Sequence, residues 1–445
     1  MDEVGEGVAA RTPSGPFAAF HYRNFTLMWS ASLLSSSGVW LQNMAVPFVI
    51  YRITGSGAWL GFTAFLSYVP LVVTGPLAGS FADRFDRRTV LMCTGTGSFF
   101  ATGALWLVWV AGERRIGVIL LLLTLNGFVA GMQIASWQAF VTELVPREHL
   151  LNAVTLNSAQ FNAARAFGPA LGGLVLATLG PSWAFFLNAV TYLAMVGALF
   201  LVRRPKVVRP KPEGRPRAVA EMVQALRYVR TEPGIGVCLL IVFALGFLGG
   251  PLFNLIVVFA DDVYGVGDGL YGVLAACLGA GAILTAPLIA GPGSRLARSH
   301  LVALAIVTYS LALVALGLSP VAVVGACALL VAGAGYLGIS ATLNTTIQLQ
   351  VTEAMRGKVL ALYVMTLTLA MPVGSLLQGW LVDLVGVQAT VAGAGAVFLA
   401  VFATLRFRTT ALSHMDDPGR GDIGADAMAL DIAEAESVEA AVDPI

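Results

Sequence analysis

The feature that most constrains this chain is a recurrence: long apolar runs, each closed by a short polar turn. An α-helix rises about 1.5 Å per residue, so ~20 apolar residues cross a hydrocarbon core of ~30 Å. Twelve such runs are present, at 25–51, 58–82, 89–111, 116–140, 151–178, 182–202, 235–260, 270–290, 301–318, 321–345, 359–382 and 387–406. They are too long for barrel strands and do not alternate. Composition agrees: of 445 residues, 57% are hydrophobic and 11% charged, with mean hydropathy +0.81. Soluble domains carry roughly 25% charge. Too few polar residues remain to shell two or three soluble domains, and the same shortage excludes disorder over most of the chain. The expected fold is an all-α membrane protein of twelve transmembrane helices.

Loop charge orients the spans. With the N-terminus placed in the cytoplasm, 22 of the 26 Lys and Arg residues fall in inner segments. The outer loops hold Arg52, Arg114 and Arg115, and Arg165 lies inside a span. Positive charge gathers on the cytoplasmic side of membrane proteins, so both termini are expected inside. The polar first twenty residues are not expected to be a cleaved leader. No basic patch suggests a nucleic-acid partner; membrane lipids are the expected surroundings.

The chain divides into two six-helix bundles. The expected units are a cytoplasmic segment at 1–24, a bundle at 25–202, a basic linker at 203–233, a second bundle at 234–407 and an acidic, disordered cytoplasmic tail at 408–445. The linker carries Pro205, Pro210, Pro212, Pro216 and Pro233, the mark of a solvated connector. Within it Val219, Met222, Val223 and Leu226 recur at helical spacing, with Glu221, Gln224, Arg227 and Arg230 on the other face. This pattern predicts a short amphipathic helix on the inner membrane surface. The halves echo each other weakly, with Pro169 and Pro372 in corresponding spans five and eleven. Related six-span halves are the layout of transporters that rock about a midplane site.

Two motifs bear on mechanism. The turn after span two reads Gly79-Ser-Phe-Ala-Asp83-Arg84-Phe-Asp86-Arg87-Arg88. Gly79 permits close helix approach, Asp83 can accept from helix N-termini or pair with arginine, and Arg84, Arg87 and Arg88 can meet acids or lipid phosphates. This pattern resembles the signature of the major facilitator superfamily, which implies that these five residues latch an inner gate. Asp86 stands where that signature usually has glycine. Span five holds Gly168-Pro169-Ala-Leu-Gly172-Gly173. Proline kinks a helix and glycine allows tight packing, here expected against span eight. The stretch resembles the motif of the superfamily's antiporter branch, although Thr155 and Ala164 replace two upstream glycines. The segments Phe20–Phe25, Tyr51–Ser56 and Glu143–Glu148, with Asn152 and Ala153, are similar to the enterobactin-exporter-like and macrolide-efflux-like branch, also called transmembrane secretion effectors. That resemblance implies a transporter of the bacterial plasma membrane exporting drugs, macrolides, siderophores or metabolites, usually by proton antiport.

Arg165 within span five is expected to face a cavity, a partner or an anionic substrate, because a charge at that depth is costly. The remaining candidate path residues are Trp40, Gln42, Asn43, Asn126, Gln133, Gln160, Asn254, Tyr336, Tyr363 and Gln378. Amides and aromatic rings suit bulky amphipathic substrates. Candidate proton carriers are Glu143, Asp261, Asp262 and Asp383, all near span ends. Gly333-Ala-Gly335-Tyr-Leu-Gly338 fits a dinucleotide-binding pattern but lies inside span ten, so it reads as helix packing. Cys93, Cys238, Cys277 and Cys327 read as small apolar residues within the runs. Neither a metal, a cofactor nor an enzymatic centre is expected; the proton gradient is the expected energy source, and a monomer the expected state. Two alternatives remain: a nutrient importer or facilitator on the same fold, and a non-transporting membrane sensor or assembly partner.

Overall fold

A computed structural model describes residue 15 and residues 17–202, 218–265, 267–410 and 412–417. It contains thirteen α-helices and, among the described residues, no strand: α1 (Arg23–Thr54), α2 (Gly57–Arg84), α3 (Arg87–Val110), α4 (Ile116–Val141), α5 (Leu150–Leu179), α6 (Pro181–Leu201), α7 (Ala218–Thr231), α8 (Pro233–Ala244), α9 (Leu252–Val258), α10 (Gly267–Ala290), α11 (Arg298–Leu318), α12 (Ala322–Gln350) and α13 (Glu353–Arg408). Among the described residues nine helical stretches are long and apolar enough to cross a membrane. The longest runs over Met355–Arg408, 54 residues or ~80 Å, more than twice the hydrocarbon thickness. It does not run straight: Gly386 has φ +84° and ψ 158°, a conformation that costs glycine little because it lacks a Cβ. The break divides α13 into two limbs, at the place where the sequence separates spans eleven and twelve.

Span seven departs from its expected continuous form. The helix α8 passes through a π turn at Leu245–Gly249 into α9, and a second π turn follows at Phe259–Val263. Pro251 lacks an N–H, and Gly246, Gly249 and Gly250 do little to hold regular pitch, so the ladder loosens here.

Lipid tails are as apolar as the helices, so the halves hold together by close packing and buried hydrogen bonds. In the N-terminal half α1 packs on α5 and α6, α3 on α4 and α6, and α2 on α4. In the C-terminal half α12 packs on α10 and α11, and α11 on α13. Two antiparallel pairs join the halves, α2 with α13 and α5 with α10. Large apolar side chains such as Phe100, Phe200 and Val323 stay on the outer surface, as lipid contact requires.

Three peripheral segments are docked on the protein. The linker helix α7 buries Ala225 against the protein, while Val223 and Leu226 remain exposed and available to lipid. Gln224, read as a water-facing residue, accepts a hydrogen bond from Lys358 Nζ at 2.8 Å. The segment before α1 is docked: Ala18 and Ala19 are buried, and Ala19 N donates to Asn152 Oδ1 at 2.9 Å. The start of the acidic tail is docked too, against the expectation of disorder from 408 onward. Leu412 and Met415 are buried, Gln350 Nε2 donates to His414 O at 2.8 Å, and Ser299 N donates to Asp416 Oδ1 at 3.0 Å. Buried apolar contact from these two side chains offsets the acids' preference for water.

Candidate functional site

The two halves meet along an interface with distinct ends. At one end, near the turn between α1 and α2, contacts cross from half to half. Arg52 pairs with Asp261 at 3.2 Å, and Tyr51 Oη donates to Asp262 Oδ2 at 2.5 Å. The carboxylate of Asp383 accepts from Ser56 Oγ, Gly57 N and Ala58 N at 2.6, 2.6 and 3.1 Å. Below this cap, Tyr271 Oη donates to Met44 O at 2.7 Å, and its ring stacks on Phe48 at 5.6 Å. The three aspartates singled out as proton carriers are thus all engaged in cross-half bonds at this capped end.

Glycines let the backbones touch just beneath. A Cβ on Gly61 would collide with Ser375 O, and one on Gly173 with Gly272 O. The antiporter-like stretch therefore serves two neighbours. Gly173 meets α10, as expected for span eight, but Gly168 and Gly172 lie against Trp40 and Met44 of α1. The i,i+4 spacing of Gly168 and Gly172 puts them on one face, toward α1.

At mid-depth an aromatic chain crosses the interface. Trp40 of α1 lies 6.1 Å from Phe253 of α9, which meets Tyr336 of α12 edge-on at 5.4 Å; Tyr309 of α11 follows at 6.0 Å. Beside it Pro169, Phe253, Leu278, Ala282, Tyr336 and Leu337 line a small, largely apolar cavity. Trp40 and Tyr336 are the members of the expected path set that stand here.

Several other members of that set hold helices together instead. Gln42 is buried and accepts from Asn188 Nδ2 at 2.8 Å and Thr102 Oγ1 at 3.2 Å, joining α1, α3 and α6. Asn126 is half-buried on α4. Gln160 Nε2 donates to Ser36 Oγ at 3.2 Å, Asn254 Nδ2 to Ser375 Oγ at 3.3 Å, and Tyr363 Oη to Ser340 O at 3.1 Å. Gln378 Nε2 donates to Phe247 O and Leu248 O, both at 3.0 Å. A buried amide in lipid must find partners, and a neighbouring helix supplies them. Asn43 and Gln133 are half-buried on α1 and α4.

At the opposite, basic end Arg87 pairs with Glu143 at 3.1 Å, and only 6% of the Glu143 side chain is exposed. The fourth proton-carrier candidate is therefore held in an ion pair. Asp86 caps α3 by accepting from Thr89 N at 3.1 Å, which gives a role to the residue replacing the signature's glycine. Arg88 donates to Phe200 O at 3.4 Å and Arg23 to Leu201 O at 3.5 Å, satisfying carbonyls at the end of α6. The side chains of Asp83, Arg84 and Arg165, and the surroundings of Gly79, lie outside the described residues.

Comparison with known proteins decides the family. The family model described as transmembrane secretion effector matches residues 14–437. The chain belongs to that family of major facilitator superfamily transporters. This secretion-effector-family transporter is 27% identical over 403 residues to the enterobactin exporter EntS of Escherichia coli, covering 87% of this chain and 94% of that protein. It is 24% identical to the staphyloferrin A transporter of Staphylococcus aureus, covering 81% and 90% of the two chains. With the uncharacterized transporter YfiS of Bacillus subtilis it shares 25% identity over 58% of this chain and 62% of that one. The fold is that of solved superfamily members. A bacterial homolog of the human lysosomal transporter Spinster superposes with TM-score 0.70 at 15% identity, covering 88% and 98% of the chains. A D-xylose–proton symporter does so with TM-score 0.67 at 14% identity, covering 89% and 99%.

The transporter's interface also contains residues that the sequence reading passed over. In the sequence Tyr51 and Ser56 stand only within a family-like segment, Arg52 there and among the outer-loop bases, and Phe253, Tyr271 and Tyr309 within apolar runs. One signal is in the sequence: Arg52 is one of only three bases in the outer loops, and Asp261 and Asp262 close span seven on what the same charge rule makes the outer side.

Proposed function

We propose that this transporter exports small amphipathic molecules across a bacterial plasma membrane by alternating access, in exchange for protons. In this reading the chain crosses the membrane twelve times as a monomer, with both termini and the basic end in the cytoplasm. The capped end then faces outward. The observation that carries the reading is the family match over nearly the whole chain, with relatives named as an enterobactin exporter and a staphyloferrin A transporter.

The geometry supports the substrate class. Trp40, Phe253 and Tyr336 cross between the halves beside an apolar cavity, and such surfaces hold ring-bearing or greasy molecules without matched charges. The cross-half bonds of Asp261, Asp262 and Asp383 close the outer side in this reading. Arg165, on α5 one turn before Pro169, is proposed from the sequence as a contact for anionic substrate groups.

Transport into inverted membrane vesicles tests the proposal. A lipophilic fluorescent dye is expected to accumulate when the vesicles are acidified inside, and to leave when a protonophore is added. Accumulation only in intact cells would overturn export in favour of import. A cysteine-free variant carrying Phe85→Cys or Arg114→Cys tests topology: an impermeant maleimide should reach residue 114, but not residue 85, from outside the cell.

A further inference from the structure

We propose that Asp383 is a gating residue: a helix cap lent by one half of the transporter to the other, which fastens the capped end and must let go for that end to open. The first N–H groups of a helix have no partner within it and carry partial positive charge, so a carboxylate satisfies them well. The usual cap stands one residue before the helix. In α2 that residue is Ser56, yet its hydroxyl lies 3.5 Å from Trp59 N, at the limit of a hydrogen bond, and donates to Asp383 instead. Asp383 accepts from Gly57 N and Ala58 N as well, at 2.6 and 3.1 Å. The cap of α2 therefore comes from α13, 326 residues away in sequence and across the interface.

This cap forms only while the halves touch. Asp383 stands three residues before the break at Gly386, at the end of the first limb of α13. One turn earlier, a Cβ on Gly57 would come within 2.7 Å of Gly379 O, and Gly61 lies against Ser375 O. Any motion that parts α2 from α13 here removes the acceptor from all three donors together. Water replaces it at moderate cost, so the latch is firm but reversible. The antiparallel pair also carries an acid at the C-terminal end of α2, Asp83 of the signature motif.

The latch rests on the alternating-access reading, and spin-label distances separate the two. In a cysteine-free background, labels at Arg115→Cys and Leu318→Cys report the gap across the capped end of the full-length protein in lipid nanodiscs. The parent is expected to show a short and a long distance. Asp383→Ala should raise the long-to-short ratio roughly 5- to 30-fold, the effect of losing one good cap. Asp383→Asn, which keeps an acceptor oxygen, should fall between. An unchanged ratio in monodisperse Asp383→Ala overturns the latch alone. If that variant does not fold, the pair Ser56→Ala with Ala58→Pro removes two donors at positions where proline is tolerated, and must produce the same direction of shift; no shift overturns the latch. A parent with one fixed distance, with and without a proton gradient, overturns alternating access and the latch together.

Discussion

Gln378 on α13 holds open the π turn of the seventh span by donating its side-chain amide to the carbonyl oxygens of Phe247 and Leu248, each at 3.0 Å. Tyr309 Oη adds a third bond of this kind, to Gly249 O at 2.9 Å. A widened turn leaves carbonyls without their usual partners, and in a membrane no water is at hand to take them. Substituting Gln378→Leu should therefore destabilise the protein by about 1–3 kcal/mol, the cost of stranding buried acceptors. The check is the melting temperature in detergent; Gln378→Leu should melt several degrees lower, and an unshifted value would mean that the turn is held by packing alone.

The ion pair between Arg87 and Glu143 has a nearly buried acid and a partly exposed base. Removing Arg87 leaves the carboxylate without this partner, while the exposure of the arginine weakens what the pair is worth. Arg87→Ala is expected to cost about 1–3 kcal/mol, and Arg87→Ala with Glu143→Gln less than the sum of the two single changes. A double-mutant cycle on thermal stability measures that coupling, and additive losses would show that the two residues act independently.

The tail beyond the last span contributes a cap of its own. Asp416 accepts from Ser299 N at 3.0 Å and from the Ser299 hydroxyl, in the first turn of α11. Arg298 donates to Asp417 O at 3.2 Å. Asp416→Ala should lose about 1 kcal/mol, as other cap deletions do. Ending the chain after Thr410 should lose more, because buried Leu412 and Met415 go with it. Equal melting temperatures for full-length and shortened protein would contradict this docking.

Two glycines of one motif should fail in different ways. Gly173→Ala places a methyl group against the rigid backbone of α10, so it should hold the halves apart at the capped end and depress transport of every substrate. Gly168→Ala meets the Trp40 side chain, which can turn aside at the cost of its contact with Phe253. That change should alter relative rates among substrates of different size more than it lowers the overall rate. Transport assays on a panel of dyes distinguish the two patterns, and identical profiles would refute the division of labour.

Helix placement was legible from the chain alone because it is set locally. Run length and the turn residues place most helix ends within a few residues of where they lie. Even the amphipathic linker helix was visible, since periodicity survives in a single segment. Candidate path residues were harder to read. Gln42, Gln160 and Gln378 looked like path residues because a buried amide signals a partner without saying which one. Asp261, Asp262 and Asp383 looked like isolated helix-end charges because their partners lie more than 200 positions away.

The sequence by itself determined an all-helical membrane chain of two basic-flanked halves, for apolar length and loop charge act on each segment separately. Only the tertiary structure decided which polar groups bind helices, which rings stand beside the small cavity, that Gly168 and Gly173 face different neighbours, and that Asp383 reaches the start of α2. Those outcomes depend on which helix faces arrive side by side, and in lipid that is settled by packing and hydrogen bonding between distant segments, not by any property of one segment alone.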